Sequence, residues 1–220
     1  MKRIVIAGSA VVVGLVILLP AGFALLRPVT VLPRIELAPG YDFVDQNGRR
    51  FTSEDARGTI TLYSFAYTDC PMPCDGVFDV MWSVQAALDT VDTGGLPVRL
   101  VTIGIDHRRD FPGALTQLAA RAGAKPDVWT FASGDSVRLL RTVRNGFGVF
   151  YEGMPDSTYR FSPAYILVDG VGIVRGDYRI GVPRADDMVY GIARIAREAR
   201  AEGVAHVMYE AAHFFACYSE

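Results

Sequence analysis

Tyr67-Thr68-Asp69-Cys70-Pro71-Met72-Pro73-Cys74 is the stretch on which the reading of this chain turns. It follows a β-branched and aromatic run, Thr59 to Phe65, and precedes an apolar-periodic segment, Val77 to Leu88. Two of the three cysteines therefore stand where a buried strand hands over to a helix. Four residues of separation is about one helical turn, a Cα spacing of roughly 6 Å, within the range a disulfide accepts. The first helical turn carries unpaired N–H groups and a partial positive charge, which favour thiolate over thiol. A dithiol placed there can be oxidised, can attack a disulfide, or can hold a soft cation such as Cu(I).

Upstream of this stretch, Met1-Lys2-Arg3 opens with positive charge and Ile4 to Leu26 follows without a charged residue. About 23 such residues make a helix of roughly 34 Å, enough to cross a bilayer core of about 30 Å and longer than a signal-peptide core. The expectation is a single-pass inner-membrane anchor over residues 1–27. The positive-inside tendency puts its N-terminus in the cytoplasm and the rest of the chain in the periplasm. The Gly22-Phe23-Ala24 triplet keeps cleavage as an alternative. Residues 28–40, with Pro28, Pro33 and Pro39, read as an extended linker to a domain over 41–202.

Within that domain, Tyr41 to Asp45 and Arg49 to Thr52 flank Asn47-Gly48, a strong hairpin signal. Thr59 to Phe65 is a strand, and the cysteine segment leads into a helix from about Pro73 to Ala87. Pro97 to Ile105 reads as a strand buried on both faces. A helix over Pro112 to Ala122, a short strand at Trp129 to Phe131 and a helix over Asp135 to Arg144 follow. The domain closes with a hairpin at Ala164–Val168 and Ile173–Tyr178 and a helix over Pro183 to Glu202, and residues 203–220 form a helical tail. Strands joined by helices imply parallel neighbours, and the late hairpin adds an antiparallel edge. The expected fold is α/β and thioredoxin-like: a central mixed sheet flanked by helices, with the N-terminal transmembrane helix added.

Composition narrows the function. A formal net charge of −2 leaves no footprint for nucleic acid, and three cysteines are too few for a disulfide scaffold. The His107-Arg108-Arg109-Asp110 string lacks the glycine-rich loop that a kinase requires. No phosphate-cradling loop or Ser/His/Asp arrangement is found.

Five separated motifs carry a resemblance. Phe43-Val44-Asp45-Gln46-Asn47-Gly48 and Phe65 through Cys74 resemble the opening of Sco/SenC proteins. Ile105-Asp106-His107-Arg108-Arg109-Asp110-Phe111-Pro112, Trp129 to Asp135, and Gly146 to Tyr151 are similar to later family segments. The likeness covers roughly Tyr41 to Tyr178. It implies a membrane-anchored thioredoxin fold that delivers copper to, or reduces thiols in, the dinuclear copper site of a respiratory oxidase. The implied partners are the membrane, a copper-site subunit or another assembly factor, and a thiol reductant. The implied copper ligands are Cys70, Cys74 and a histidine in an Asp-His-Ser segment, where this chain has Arg160-Phe161-Ser162. Phe161 cannot ligate a metal. Asp75 stands where the family usually has proline, and its charge disfavours a neighbouring thiolate.

Pro163 stands where thioredoxin-like reductases carry a cis-proline, so the resemblance implies a loop packed against the cysteine pair and a cis bond. A trans-proline opening a strand is the alternative. His107 could serve Cys70 as a base or replacement ligand, or be a solvated loop histidine. His206, Glu210, His213 and Cys217 fall at i, i+4, i+7 and i+11, so one helix face would present a histidine, carboxylate and thiol row to Cu or Zn. The alternative for that tail is an amphipathic helix packed on the domain or the membrane.

Three functions fit these residues. The leading one is an assembly factor for respiratory copper sites, a thiol–disulfide oxidoreductase in which Cys70 attacks, Cys74 resolves and Pro163 shapes the docking groove. The second is a Cu(I) metallochaperone whose third ligand is non-standard. The third is a redox-sensing thiol protein.

Overall fold

A computed structural model of the chain describes residues 29–70, 74–179 and 183–215, in two units: 34–197, and 29–33 with 198–215. The strands of the first unit are β1 (Glu36–Leu37), β2 (Asp42–Asp45), β3 (Arg50–Thr52) and β4 (Ile60–Ala66). Helix α1 (Cys74–Ala87), β5 (Val98–Gly104), α2 (Pro112–Arg121) and β6 (Trp129–Ser133) come next. Helix α3 (Ser136–Leu139) runs into a π-helical stretch, Leu140–Gly146. Then come β7 (Tyr151–Gly153), β8 (Tyr159–Phe161), β9 (Tyr165–Val168), β10 (Ile173–Tyr178) and α4 (Ala185–Ala199). In the second unit, α5 spans Gly203–Phe215.

Eight strands form one mixed sheet in the order β1-β10-β9-β4-β5-β6-β2-β3. β4 lies at its centre, parallel to β5 and antiparallel to β9. All seven of its residues, Ile-Thr-Leu-Tyr-Ser-Phe-Ala, are buried, as a strand covered on both faces requires. Its two polar side chains differ in how they meet burial: the Ser64 hydroxyl bonds that of Thr102 at 2.8 Å, whereas Thr61 Oγ1 has no hydrogen-bond partner among the described residues. Burying each large apolar side chain, such as Leu62 or Phe65, is worth about 1.5–3 kcal/mol. β5 and β6 are also parallel, so three strands release their chains at one sheet edge: at Tyr67, at Ile105 and at Gly134. That edge is where open α/β sheets carry their sites.

The thioredoxin-like α/β arrangement, both expected hairpins and the helix after the cysteines are present. Three features differ from expectation. The stretch read only as a linker supplies β1, because Ile35 N–H and Ala38 N–H find Val174 O and Gly172 O, both at 2.9 Å, along the open edge of β10. β7 and β8 form a small second sheet beyond the two expected hairpins. The helix after β6 starts on Asp135, whose carboxylate accepts from Val137 N and Arg138 N, but widens to a π-helix before Gly146. The expected membrane span falls on residues 4–26, which lie outside the described residues. Among those described, no helix is long and apolar enough to cross a membrane.

Candidate functional site

The carboxyl end of β4 delivers Tyr67 to Cys70, and α1 begins on Cys74, so the two sulfurs straddle the strand-to-helix corner. They are joined as a disulfide with Cα atoms 5.8 Å apart. Cys74 is fully buried in the main core cluster, while Cys70 is half-buried at its margin. The earlier cysteine is thus the more accessible of the two.

Three clamps hold the turn before Cys70. Asp110 Oδ1 accepts from Thr68 N at 2.8 Å and Thr68 Oγ1 at 2.6 Å, while its Oδ2 accepts from Asp106 N at 2.8 Å. Arg121 Nη2 donates to Thr68 O at 2.6 Å. Arg109 joins three segments: its Nε bonds Asp106 Oδ2, its Nη2 bonds Ser157 O, and its Nη1 lies 3.6 Å from Asp69 Oδ2. Desolvation pushes the Asp110 carboxyl up to about 6, against the lowering effect of the hydrogen bonds from Thr68 and Asp106. Burial likewise raises the Tyr159 hydroxyl, which donates to Asp106 Oδ1 at 3.3 Å.

The β7–β8 hairpin folds back on this corner. Tyr159 N donates to the Tyr67 hydroxyl at 3.2 Å, and the Tyr67 ring meets those of Tyr159 and Phe161 edge-on at 5.4 and 6.2 Å. Phe161 belongs to the same buried cluster as Cys74, Tyr67 and Ala164. Pro163 lies between Phe161 and Ala164, directly before β9, the antiparallel neighbour of β4.

The other candidates fall elsewhere. His107 is exposed and lines a separate groove, bounded by the 106–109 turn and the β7–β8 connection, rather than the groove that Cys70 lines. His206, Glu210 and His213 all lie on α5, where His213 Nε2 is 2.8 Å from Glu198 Oε1. Cys217 lies outside the described residues, as do Pro71, Met72 and Pro73 of the cysteine segment. Among the described residues no three His, Cys, Asp or Glu side chains come together as a metal shell. Sequence reading missed Thr68, Asp110, Arg109, Arg121 and Tyr159. The string Asp106-His-Arg-Arg-Asp110 directly after a buried strand was a signal for Arg109 and Asp110 alone.

A cysteine pair at the strand–helix corner of a mixed sheet defines a thioredoxin-like dithiol protein. The SCO1/SenC family model matches residues 31–197, and the chain belongs to that family. An SCO2-like protein of Rickettsia conorii is 31% identical over 117 residues, 53% of this chain and 54% of that one. The chain thus spans about half the length of the curated relatives it matches. Among solved structures, BsSco is described as a member of the Sco family of cytochrome c oxidase assembly proteins with a disulfide switch. It aligns with a TM-score of 0.66 at 21% identity, covering 76% of this chain and 98% of its own. Arabidopsis thaliana ScoI with copper bound aligns with a TM-score of 0.64 at 18% identity, covering 73% and 98%. At these identities the likeness establishes the shared fold.

Proposed function

We propose that the chain is an extracytoplasmic assembly factor for the copper site of a respiratory oxidase and works by dithiol–disulfide exchange at Cys70 and Cys74. Membership of the SCO1/SenC family supports the setting. The uncharged stretch Ile4 to Leu26 supports a membrane tether with the domain outside the cytoplasm. The observation that carries the exchange reading is the asymmetry of the pair, with one sulfur half-exposed and the other buried one turn away.

Once a dithiol reductant has opened the Cys70–Cys74 bond, the Cys70 thiolate attacks one sulfur of a partner disulfide. The partner's second sulfur leaves with the electron pair and takes a proton from water. Cys74 then displaces the partner from Cys70, which re-forms the internal disulfide and releases the partner as a dithiol. Pro163, which precedes β9, the antiparallel neighbour of β4, shapes the surface on which the partner lies.

Phe161 is what weighs against a purely copper-carrying role. The resemblance puts a histidine ligand there, and in this chain the position is an aromatic ring packed on Tyr67. The second reading, a Cu(I) chaperone, draws on the copper-bound A. thaliana ScoI of the same fold. The reduced pair is a soft donor set suited to Cu(I), with a third donor still to come from elsewhere.

Trapping separates the two. A Cys74→Ser chain should accumulate a mixed disulfide with a disulfide peptide through Cys70, and a Cys70→Ser chain should not. A tight one-to-one Cu(I) complex that needs both cysteines, with no mixed disulfide from the Cys74→Ser chain, would reverse the order of the readings.

A further inference from the structure

One face of α1 extends the cysteine pair into a groove. Asp75, Phe78, Asp79 and Trp82 recur at i, i+3, i+4 and i+7, so they share that face. With Cys70 and Arg121 they line an open groove of about 460 Å³. Its far wall is the end of α2 and the turn that follows. That wall is fixed from beneath: buried Gln85 donates to Gly123 O at 3.0 Å and accepts from Lys125 N at 2.7 Å. Gly123, at φ +67°, leaves room for the indole of Trp82, since a Cβ there would come within 3.3 Å of the ring.

The contents of this groove are unusual for bare surface. Trp82 is 54% exposed and Phe78 only half-buried, an aromatic floor open to solvent. Asp75 and Asp79 are exposed, and among the described residues neither has an ion-pair partner. Arg121, the one cation of the lining among the described residues, already donates to Thr68 O. The groove therefore offers two free carboxylates and an aromatic floor, beginning at the half-buried Cys70.

We infer that this groove docks an extended, cysteine-bearing segment of the partner protein that carries lysine or arginine within about four residues of its cysteine. The basic side chains face Asp75 and Asp79, and an apolar side chain of the same segment covers Trp82. Asp75 to Trp82 spans about 10 Å along the helix, the length of about three extended residues, which sets the spacing. The inference rests on the thiol-exchange reading and names the substrate class of that site. The chemistry is the exchange written above, with the basic segment holding the disulfide in line with Cys70 Sγ.

The test uses the full-length chain in detergent, reduced by a dithiol that is then removed. Two peptides differ only in carrying lysine or glutamate two residues either side of a single cysteine, and each is a mixed disulfide with 2-mercaptoethanol. Bis(2-hydroxyethyl) disulfide is the neutral reference. The lysine peptide should react about tenfold faster than the glutamate peptide at low salt. That ratio should fall towards one at about 0.5 M salt and in a D75N/D79N chain. Trp82→Ala should slow both peptides relative to the neutral reference. A ratio near one in the unaltered chain, or one that D75N/D79N leaves unchanged, overturns the docking inference alone. Peptides unaffected by Trp82→Ala overturn its apolar half. No reaction even with the neutral disulfide overturns the exchange reading and the inference with it.

Discussion

Asp110 holds Thr68 by both its backbone N–H and its hydroxyl, at 2.8 and 2.6 Å, and so ties the loop after β5 to the turn that presents Cys70. The carboxylate is almost wholly buried, and its second oxygen accepts from Asp106 N. The cysteine corner is thus built on a buried acid beyond the end of the next strand, 42 residues from Thr68, not on the cysteine segment alone.

That acid makes stability depend on pH. Burial lifts its folded value from 3.8 to about 6, so the folded chain holds this proton more tightly than the unfolded chain. Its contribution is therefore most favourable below about pH 4 and is lost as the pH rises through about 6, by about 3 kcal/mol at most. Asp42, Asp55, Asp135 and Asp156 are held below the usual carboxylate range and act oppositely, losing stability as the pH falls. Asp110→Asn removes only the first effect. Urea unfolding of both chains from pH 4 to 7 should show the difference between them changing in favour of the Asn variant as the pH rises. Parallel curves would mean that Asp110 does not titrate there.

Gly104, the last residue of β5, is the position that lets this carboxylate approach. A Cβ there would meet Asp110 Oδ2 at 2.6 Å and its Cβ at 2.9 Å. Gly104→Ala must push the acid off Thr68 and Asp106. Overpacking together with strained buried hydrogen bonds should cost about 2–4 kcal/mol, read as a lower urea midpoint.

These contacts explain how far the sequence could be read. The Asn47-Gly48 hairpin, the all-buried β4 and the helix after Cys74 each announce themselves within a few residues. β1 has only two paired residues, and its place depends on an edge of β10 more than a hundred residues away. β7 and β8 are three residues each, joined through Ser157 in a left-handed conformation, and are too short for alternation to mark them. The site divides in the same way. The cysteines are legible because their spacing carries chemistry. Asp110, Arg109 and Arg121 read as ordinary surface charges until the fold brings them to Thr68 and Asp69.

Arg109 should matter more than an exposed arginine does. Removing it leaves the Asp106 carboxylate, whose side chain is 2% exposed, without its cation, and frees the β7–β8 connection from the cysteine turn. Arg109→Ala is expected to lose about 2–3 kcal/mol, most of it from the stranded buried charge rather than from the exposed contact with Asp69. Amide exchange should quicken at Tyr159 and Cys70 before it does in β4. Uniform quickening would instead point to global destabilisation.

Phe161 sits in the buried cluster with Cys74, and the family resemblance puts a histidine ligand at its position. If that correspondence holds in space, an imidazole there supplies the third donor that two thiolates need for Cu(I). Phe161→His should then tighten Cu(I) binding by the reduced chain about tenfold or more, equivalent to about 1.4 kcal/mol. Phe161→Ala opens the same space without adding a donor, and so separates ligation from access. Both variants give up packing on Tyr67, a cost of about 3–5 kcal/mol for the alanine and less for the histidine, so folding is checked by circular dichroism before titration. Anaerobic competition against a chromophoric Cu(I) chelator gives the affinities. Histidine binding tighter than alanine would mean that this chain lost a copper ligand while keeping the site around it. Equal affinities would mean that the third donor does not lie on β8, and that the cysteine pair in this chain has only its exchange chemistry to offer there.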